Sequence, residues 1–175
     1  MTSRFTYVAL ALGLTIAAAG CGKDTPVTPT PPAAPRFSST LLPANEVPPV
    51  TNADASGSGT VTVTMNTTKD TAGNITAATA DFAVTLTGFP AGTTLSAAHI
   101  HPGAAGTNGS PAVNLSLTAG EISLATGSQT FSKLGIVVDP ALAQTIINNP
   151  AGYYFNVHTT LSPGGAVRGQ LVRTQ

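Results

Sequence analysis

The chain has 175 residues, seven basic and seven acidic, so its formal net charge is zero; 8% of residues are charged, 42% hydrophobic and 5% aromatic. Phosphate recognition draws on clustered Lys and Arg, and the basic residues here are scattered, which excludes a broad nucleic-acid footprint. The single cysteine, Cys21, excludes an internal disulfide framework and any multi-cysteine zinc or iron–sulfur site within one chain, while 28 threonines with 18 glycines and 14 prolines describe a β-rich chain with frequent turns.

The chain opens with Arg4 and an apolar run from Phe5 to Ala19, closing on small residues before Cys21. About fifteen apolar residues fall short of the roughly 20 that cross a bilayer, and no basic stop-transfer cluster follows, so residues 1–20 read as an export signal. Ala18-Ala19-Gly20-Cys21 resembles the lipobox of bacterial lipoproteins, with Ala18 where Leu is usual. That resemblance implies that Cys21 is acylated and becomes the mature N-terminus of a membrane-anchored protein, periplasmic or at the cell surface. Gly22 in place of Asp after the cysteine favours the outer membrane by the same resemblance. Residues 22–36 hold five prolines and, apart from Val27, no large apolar side chain. They read with Cys21 as a tether that could hold a domain up to about 45 Å from the membrane. The folded domain is expected over 37–175.

Thr60 to Met65 alternates hydroxyl and apolar residues, so Val61, Val63 and Met65 share one face of a half-buried strand. Turn formers over 66–74 and an extended run from Ile75 to Leu86 predict a hairpin, with Phe82, Val84 and Leu86 on its apolar face. Further strand-length runs occur at 112–117, 121–131, 152–160 and 166–173. One segment departs from this pattern. Asp139 precedes Pro140 and a helical spacing of Leu142, Ile146 and Ile147, with Pro150 as a stop, which predicts one short helix over 139–148. Some seven or eight strands in about 140 residues predict an all-β Greek-key sandwich or barrel.

The chemistry concentrates on histidine. His99-Ile100-His101 places two imidazoles on one face of a strand, and His158 follows Tyr154-Phe155-Asn156-Val157, where Phe155 and Val157 form the apolar side and Asn156 and His158 the other. Three neutral imidazoles suit zinc or copper and leave a coordination position open. The same spacing also suits hydrogen-bonded polar residues entering the Gly-rich loop 102–109, so both readings stand at this level. Glu46 and Arg168 are isolated charges in neutral surroundings; they are expected either to pair as a buried ion pair or to be independent surface charges. There is no Gly-x-Ser-x-Gly elbow, no phosphate-binding loop and no close carboxylate pair, so catalysis would fall to the histidines, with Tyr154 and Arg168 the nearest proton donors.

Four ordered segments, residues 42–50, 98–103, 153–159 and 165–171, resemble the chordin-type (CHRD) domain. The resemblance covers residues 37–173 and implies an extracytoplasmic binding or structural module, with a protein or glycan partner left open and no nucleic acid. The paired histidines before a Gly-rich loop, with a later Val157-His158, also resemble the copper side of copper/zinc superoxide dismutase. By that likeness His99, His101 and His158 are copper ligands, and a mononuclear copper redox enzyme is the alternative function. With three histidines and one cysteine, a binuclear site and that enzyme's disulfide are excluded by count.

Overall fold

A computed structural model describes residues 32–118 and 120–175. The expected export signal, the acylated Cys21 and the tether as far as residue 31 lie outside the described residues. The first strand, β1 (Arg36–Leu41), begins at Arg36, and the carbonyl of Pro35 accepts from Met65 N–H at 2.9 Å.

After β1 come two 3-10 turns, at Pro43–Asn45 and Ala53–Ser56, then β2 (Ser58–Lys69), β3 (Ile75–Thr87) and β4 (Thr93–Pro102). The chain continues through β5 (Val113–Asn114), β6 (Ser123–Leu124), β7 (Gln129–Val138), helix α1 (Pro140–Asn148), a 3-10 turn at Pro150–Gly152, β8 (Tyr153–Thr159), β9 (Val167–Gln170) and β10 (Val172–Arg173). One antiparallel sheet has the order β10-β1-β2-β3-β7; the other has β5-β4-β8-β9, with β6 also pairing β4. This is an all-β sandwich. It is pinned along one edge, where Leu42 and Arg168 exchange backbone hydrogen bonds of 3.0 and 3.2 Å.

The alternation in β2 and β3 works as the sequence predicts: Val61 opposes Val84, Val63 opposes Phe82, and all four are buried. Their apolar faces meet Ala98, Ile100, Phe155 and Val157 of the second sheet, and the rings of Phe82 and Phe155 stack at 5.8 Å between centroids. Burying each such side chain contributes about 1.5–3 kcal/mol. Helix α1 forms where expected. Asp139 Oδ1 accepts from the backbone N–H groups of Ala141 and Leu142, Pro140 occupies the first turn, and Ala143 and Ile146 are buried.

Four of the expected runs differ from the sequence reading: of 112–117 only Val113–Asn114 forms a strand, and 166–173 is divided at Leu171 between β9 and β10. The hairpin turn is shorter than 66–74, because β2 runs on to Lys69. Asp70 makes the reversal alone, its Oδ1 accepting from Ala72 N–H and Asn74 N–H, while Gly73 takes φ +89°. The run 121–131 is not one strand. Gly127, at φ +79°, breaks it after β6, and β7 begins at Gln129 and passes through Gly135, whose N–H donates to Asp81 Oδ1 at 2.7 Å across an irregular stretch of the β3–β7 ladder.

Candidate metal centre

The site is a consequence of register on the second sheet. His101 of β4 pairs with Tyr154 of β8, and Tyr154 with Gln170 of β9; His99 pairs with Asn156, and Asn156 with Arg168; Ala97 pairs with His158. Side chains alternate across a strand, so all of these project away from the Ile100–Phe155–Val157 core onto the opposite face. An outer sheet face is ordinarily wet. Here His101, Tyr154, Asn156, His158 and Arg168 are buried while His99 is half-buried, because loops close over them. Arg168 donates from Nη2 to the carbonyls of Ala104 (3.2 Å) and Thr107 (2.6 Å) and from Nη1 to Asn108 Oδ1 (3.0 Å), holding down the 103–112 loop. Asn108 Nδ2 in turn donates to Val47 O at 2.8 Å and ties that loop to the segment carrying Glu46.

The three histidines converge: each offers a nitrogen, and these atoms lie within 4.8 Å of one another. His158 Nδ1–H donates to Pro163 O at 2.9 Å, which leaves Nε2 as a lone pair facing His99 Nδ1 at 3.1 Å. His101 Nδ1–H donates to Gly109 O at 2.8 Å, which likewise places the lone pair on Nε2, where the Asn156 side-chain amide stands 3.0 Å away. Metal-bound histidines are held in this way, the far N–H fixed by a backbone carbonyl so that ring and tautomer are set. In His99 the proton sits on Nδ1 as a donor to His158; moving it to Nε2 of the same ring presents the third lone pair. Two nitrogens on a tetrahedral ion at about 2.1 Å lie about 3.4 Å apart, so gathering the set requires up to about 1.4 Å of closure between the farthest pair.

Burial keeps these rings neutral, as coordination requires. His99 is pushed down to about 4 by burial and then by the neighbouring His158 and His101 charges. His101 is lowered by burial against the opposing bonds to Gly109 and Asn156, with Arg168 lowering it further. His158 is lowered by burial, against its bond to Pro163.

Glu46 and Arg168 do not form the expected direct ion pair; among the described residues the salt bridge within 4 Å is Lys133–Glu121. The guanidinium is committed to the 103–112 loop and lies 3.3 Å over the ring of Tyr154, which stacks on His101 at 4.8 Å between centroids with a 2° interplanar angle. Glu46 is 5% exposed and its Oε1 is buried without a hydrogen-bond partner. Burial raises its pKa from 4.5 to about 7, against the lowering effects of the Arg168 charge and the Asn156 side chain. The two charges are therefore buried and electrostatically coupled without contact. Both line an open cavity of about 560 Å³ with Val47, Ala105 and Gln170.

Sequence reasoning missed Asp54 and the role of Asn156. Asp54 is fully buried, and its Oδ2 accepts from Thr159 Oγ1 (2.6 Å) and Ser162 Oγ (2.7 Å), so it fixes the loop that presents Pro163 O to His158. No local pattern marks Asp54. Asn156 was readable as co-facial with His158, but its contact with His101 Nε2 at 3.0 Å depends on register between strands 55 residues apart.

An antiparallel sandwich with an imidazole cluster buried on one outer face defines the class to which this chain belongs. The family is shown by its sequence: the model of the CHRD domain matches residues 37–171, and the chain belongs to the CHRD domain family. No curated protein and no solved structure matches it.

Proposed function

We propose that this protein is an extracytoplasmic CHRD module, anchored to the membrane by lipid on Cys21, that holds one copper or zinc ion through His99, His101 and His158. The observation that carries the reading is the convergence of three imidazoles, one nitrogen of each within 4.8 Å of the others, with Pro163 O locking His158 so that its Nε2 faces His99 Nδ1 and Gly109 O locking the ring of His101. A merely hydrogen-bonded cluster has no need of three nitrogens within 4.8 Å of one another. Imidazole suits both copper and zinc, and three protein ligands leave a position for water or a ligand beside the half-buried ring of His99.

Binding is favoured over turnover by the state of the nearest proton donors. The hydroxyl of Tyr154 accepts from Gly109 N–H at 3.2 Å, and the Nη groups of Arg168 are engaged with the 103–112 loop. The guanidinium of Arg168 is therefore not free to serve a reacting group, which counts against the mononuclear redox enzyme. Calorimetric titration of residues 36–175 with Zn(II), and chelator competition with Cu(I) and Cu(II), test the reading. One-to-one uptake that disappears in His99→Ala is expected. Wild-type protein that takes up none of these ions would overturn it and turn the search to protein or glycan partners.

A further inference from the structure

We propose that the cavity lined by Glu46, Asn45 and Gln170 is a binding site for a neutral polyhydroxyl ligand, a pyranose ring of a sugar or glycan. The inference stands apart from the metal reading, because the cavity wall contains none of the histidines.

The cavity holds about 560 Å³, the size of a small-molecule site, between the segment 44–49 and the loop that Arg168 fastens down. Its polar groups are sorted by the hydrogen bonds they already make. Asn45 Nδ2 donates to the carbonyl of Arg168 at 3.0 Å. Gln170 Nε2 donates to the carbonyls of Ala151, Gly103 and Tyr153 at 2.9, 3.0 and 3.2 Å. A carbonyl can only accept, so both amides are fixed with their nitrogens toward the backbone and their oxygens unspent. Among the described residues no donor is bonded to Asn45 Oδ1 or Gln170 Oε1. Glu46 brings a carboxyl to the same wall; it is 5% exposed, and its Oε1 is enclosed without a donor. Gly165 makes room for that carboxyl, since a Cβ there would lie 2.6 Å from Cδ and from both carboxyl oxygens.

Acceptors left without donors select a ligand that donates hydrogen bonds, and charge narrows the class further. An anion would face the Glu46 carboxylate and two amide oxygens. A cation would sit beside the guanidinium of Arg168, which lines the same cavity and is the positive charge that Glu46 already faces. An uncharged hydroxyl meets neither repulsion: it donates to an unspent oxygen and keeps two lone pairs for other donors. The carbons of a sugar ring have their counterpart in Ala44, Val47 and Ala105, which form the apolar part of the wall.

The test is NMR of the full chain, titrated at neutral to mildly alkaline pH with the methyl glycosides of glucose, galactose, mannose and N-acetylglucosamine, and with butylammonium and inorganic phosphate as charged counterparts. At least one glycoside is expected to bind saturably and to move the side-chain amide signals of Asn45 and Gln170. Glu46→Gln, which replaces one acceptor oxygen with a donor, is expected to weaken that glycoside about tenfold. Ala105→Leu, which fills the cavity from an exposed position, is expected to weaken it by a similar factor. The proposal is overturned if no glycoside moves those two amide signals, or if butylammonium or phosphate binds more tightly than every glycoside. Unchanged glycoside affinity in folded Glu46→Gln and Ala105→Leu overturns it as well. Should either variant not fold, the wild-type amide signals decide between the same outcomes.

Discussion

His99 Nδ1 and His158 Nε2 face each other at 3.1 Å across neighbouring strands, one register step out of direct opposition, because β8 pairs Ala97 with His158 and His99 with Asn156. The diagonal offset lets two imidazoles from β4 and one from β8 point into a common space rather than stack in a line.

Of the three proposed ligands, His99 is the one whose removal disturbs the fold least, since it is half-buried and its side-chain hydrogen bond is the one to His158. His99→Ala is expected to cost about 1 kcal/mol of stability. In wild type, saturating ion at 100 times Kd should add about 2.7 kcal/mol to the unfolding free energy. Urea unfolding of both proteins with and without Zn(II) checks this; metal stabilisation that persists in the variant would remove His99 from the ligand set.

Arg168 is 1% exposed and holds three acceptors on the 103–112 loop besides covering Tyr154. Arg168→Ala should destabilise the domain by about 3–5 kcal/mol, because it removes a buried side chain packed on Tyr154, leaves the carbonyls of Ala104 and Thr107 without their donor and frees the loop that locks His101. Denaturant midpoints and slopes give the answer, and a loss below 1 kcal/mol would contradict the role assigned to that loop contact.

Asp54 bears on the proposed metal site at a distance, through Thr159 and Ser162 to the Pro163 carbonyl. Asp54→Ala is expected to cost about 2–3 kcal/mol and to weaken metal binding about tenfold by releasing the orientation of His158. Affinity equal to wild type in a folded variant would show that His158 is held without that clamp.

The pH dependence of the metal-free domain carries two opposed contributions. The histidines have native pKa values below their unfolded values, His99 near 4 against 6.5, so the unfolded chain takes up protons first and stability falls as pH drops through 6.5 toward 4. Glu46 has the opposite sign. Its native pKa of about 7 stands above 4.5, the native state holds the proton longer, and stability from this group is complete below 4.5 and lost as pH rises through 7. Glu46→Gln should therefore gain on wild type as pH rises from 5 to 8, by up to about 3 kcal/mol. Thermal melts across that range follow the difference; one that does not grow with pH would mean that Glu46 is ionised in the native state throughout.

Much of the architecture was legible from local pattern. Alternation placed Val61, Val63, Phe82 and Val84 on the core face because a strand has a period of two, and Asp139-Pro140 marked the helix start because a carboxylate can serve the free N–H groups of a first turn. His99 and His101 were co-facial for the same reason of period. The errors fell at 112–117, of which only Val113–Asn114 forms a strand, at Leu171, which divides 166–173, and at Gly127 and Gly135, where positive φ and contacts with Phe89 and Asp81 decide where β7 begins and how it pairs with β3. Composition along the chain carries no record of those contacts.

What only the tertiary structure decided is which distant groups complete the site. Sequence shows that Glu46 and Arg168 are isolated charges and cannot show that Arg168 is spent on the backbone of a loop 60 residues away, leaving Glu46 buried without a counter-ion in contact. Nor can it show that His101 and His158 are locked by the carbonyls of Gly109 and Pro163, because backbone carbonyls have no residue identity to read. Residue type and strand period determined the presence of three imidazoles on polar faces; loop closure over one sheet determined that those imidazoles are neutral, oriented and close enough to act together.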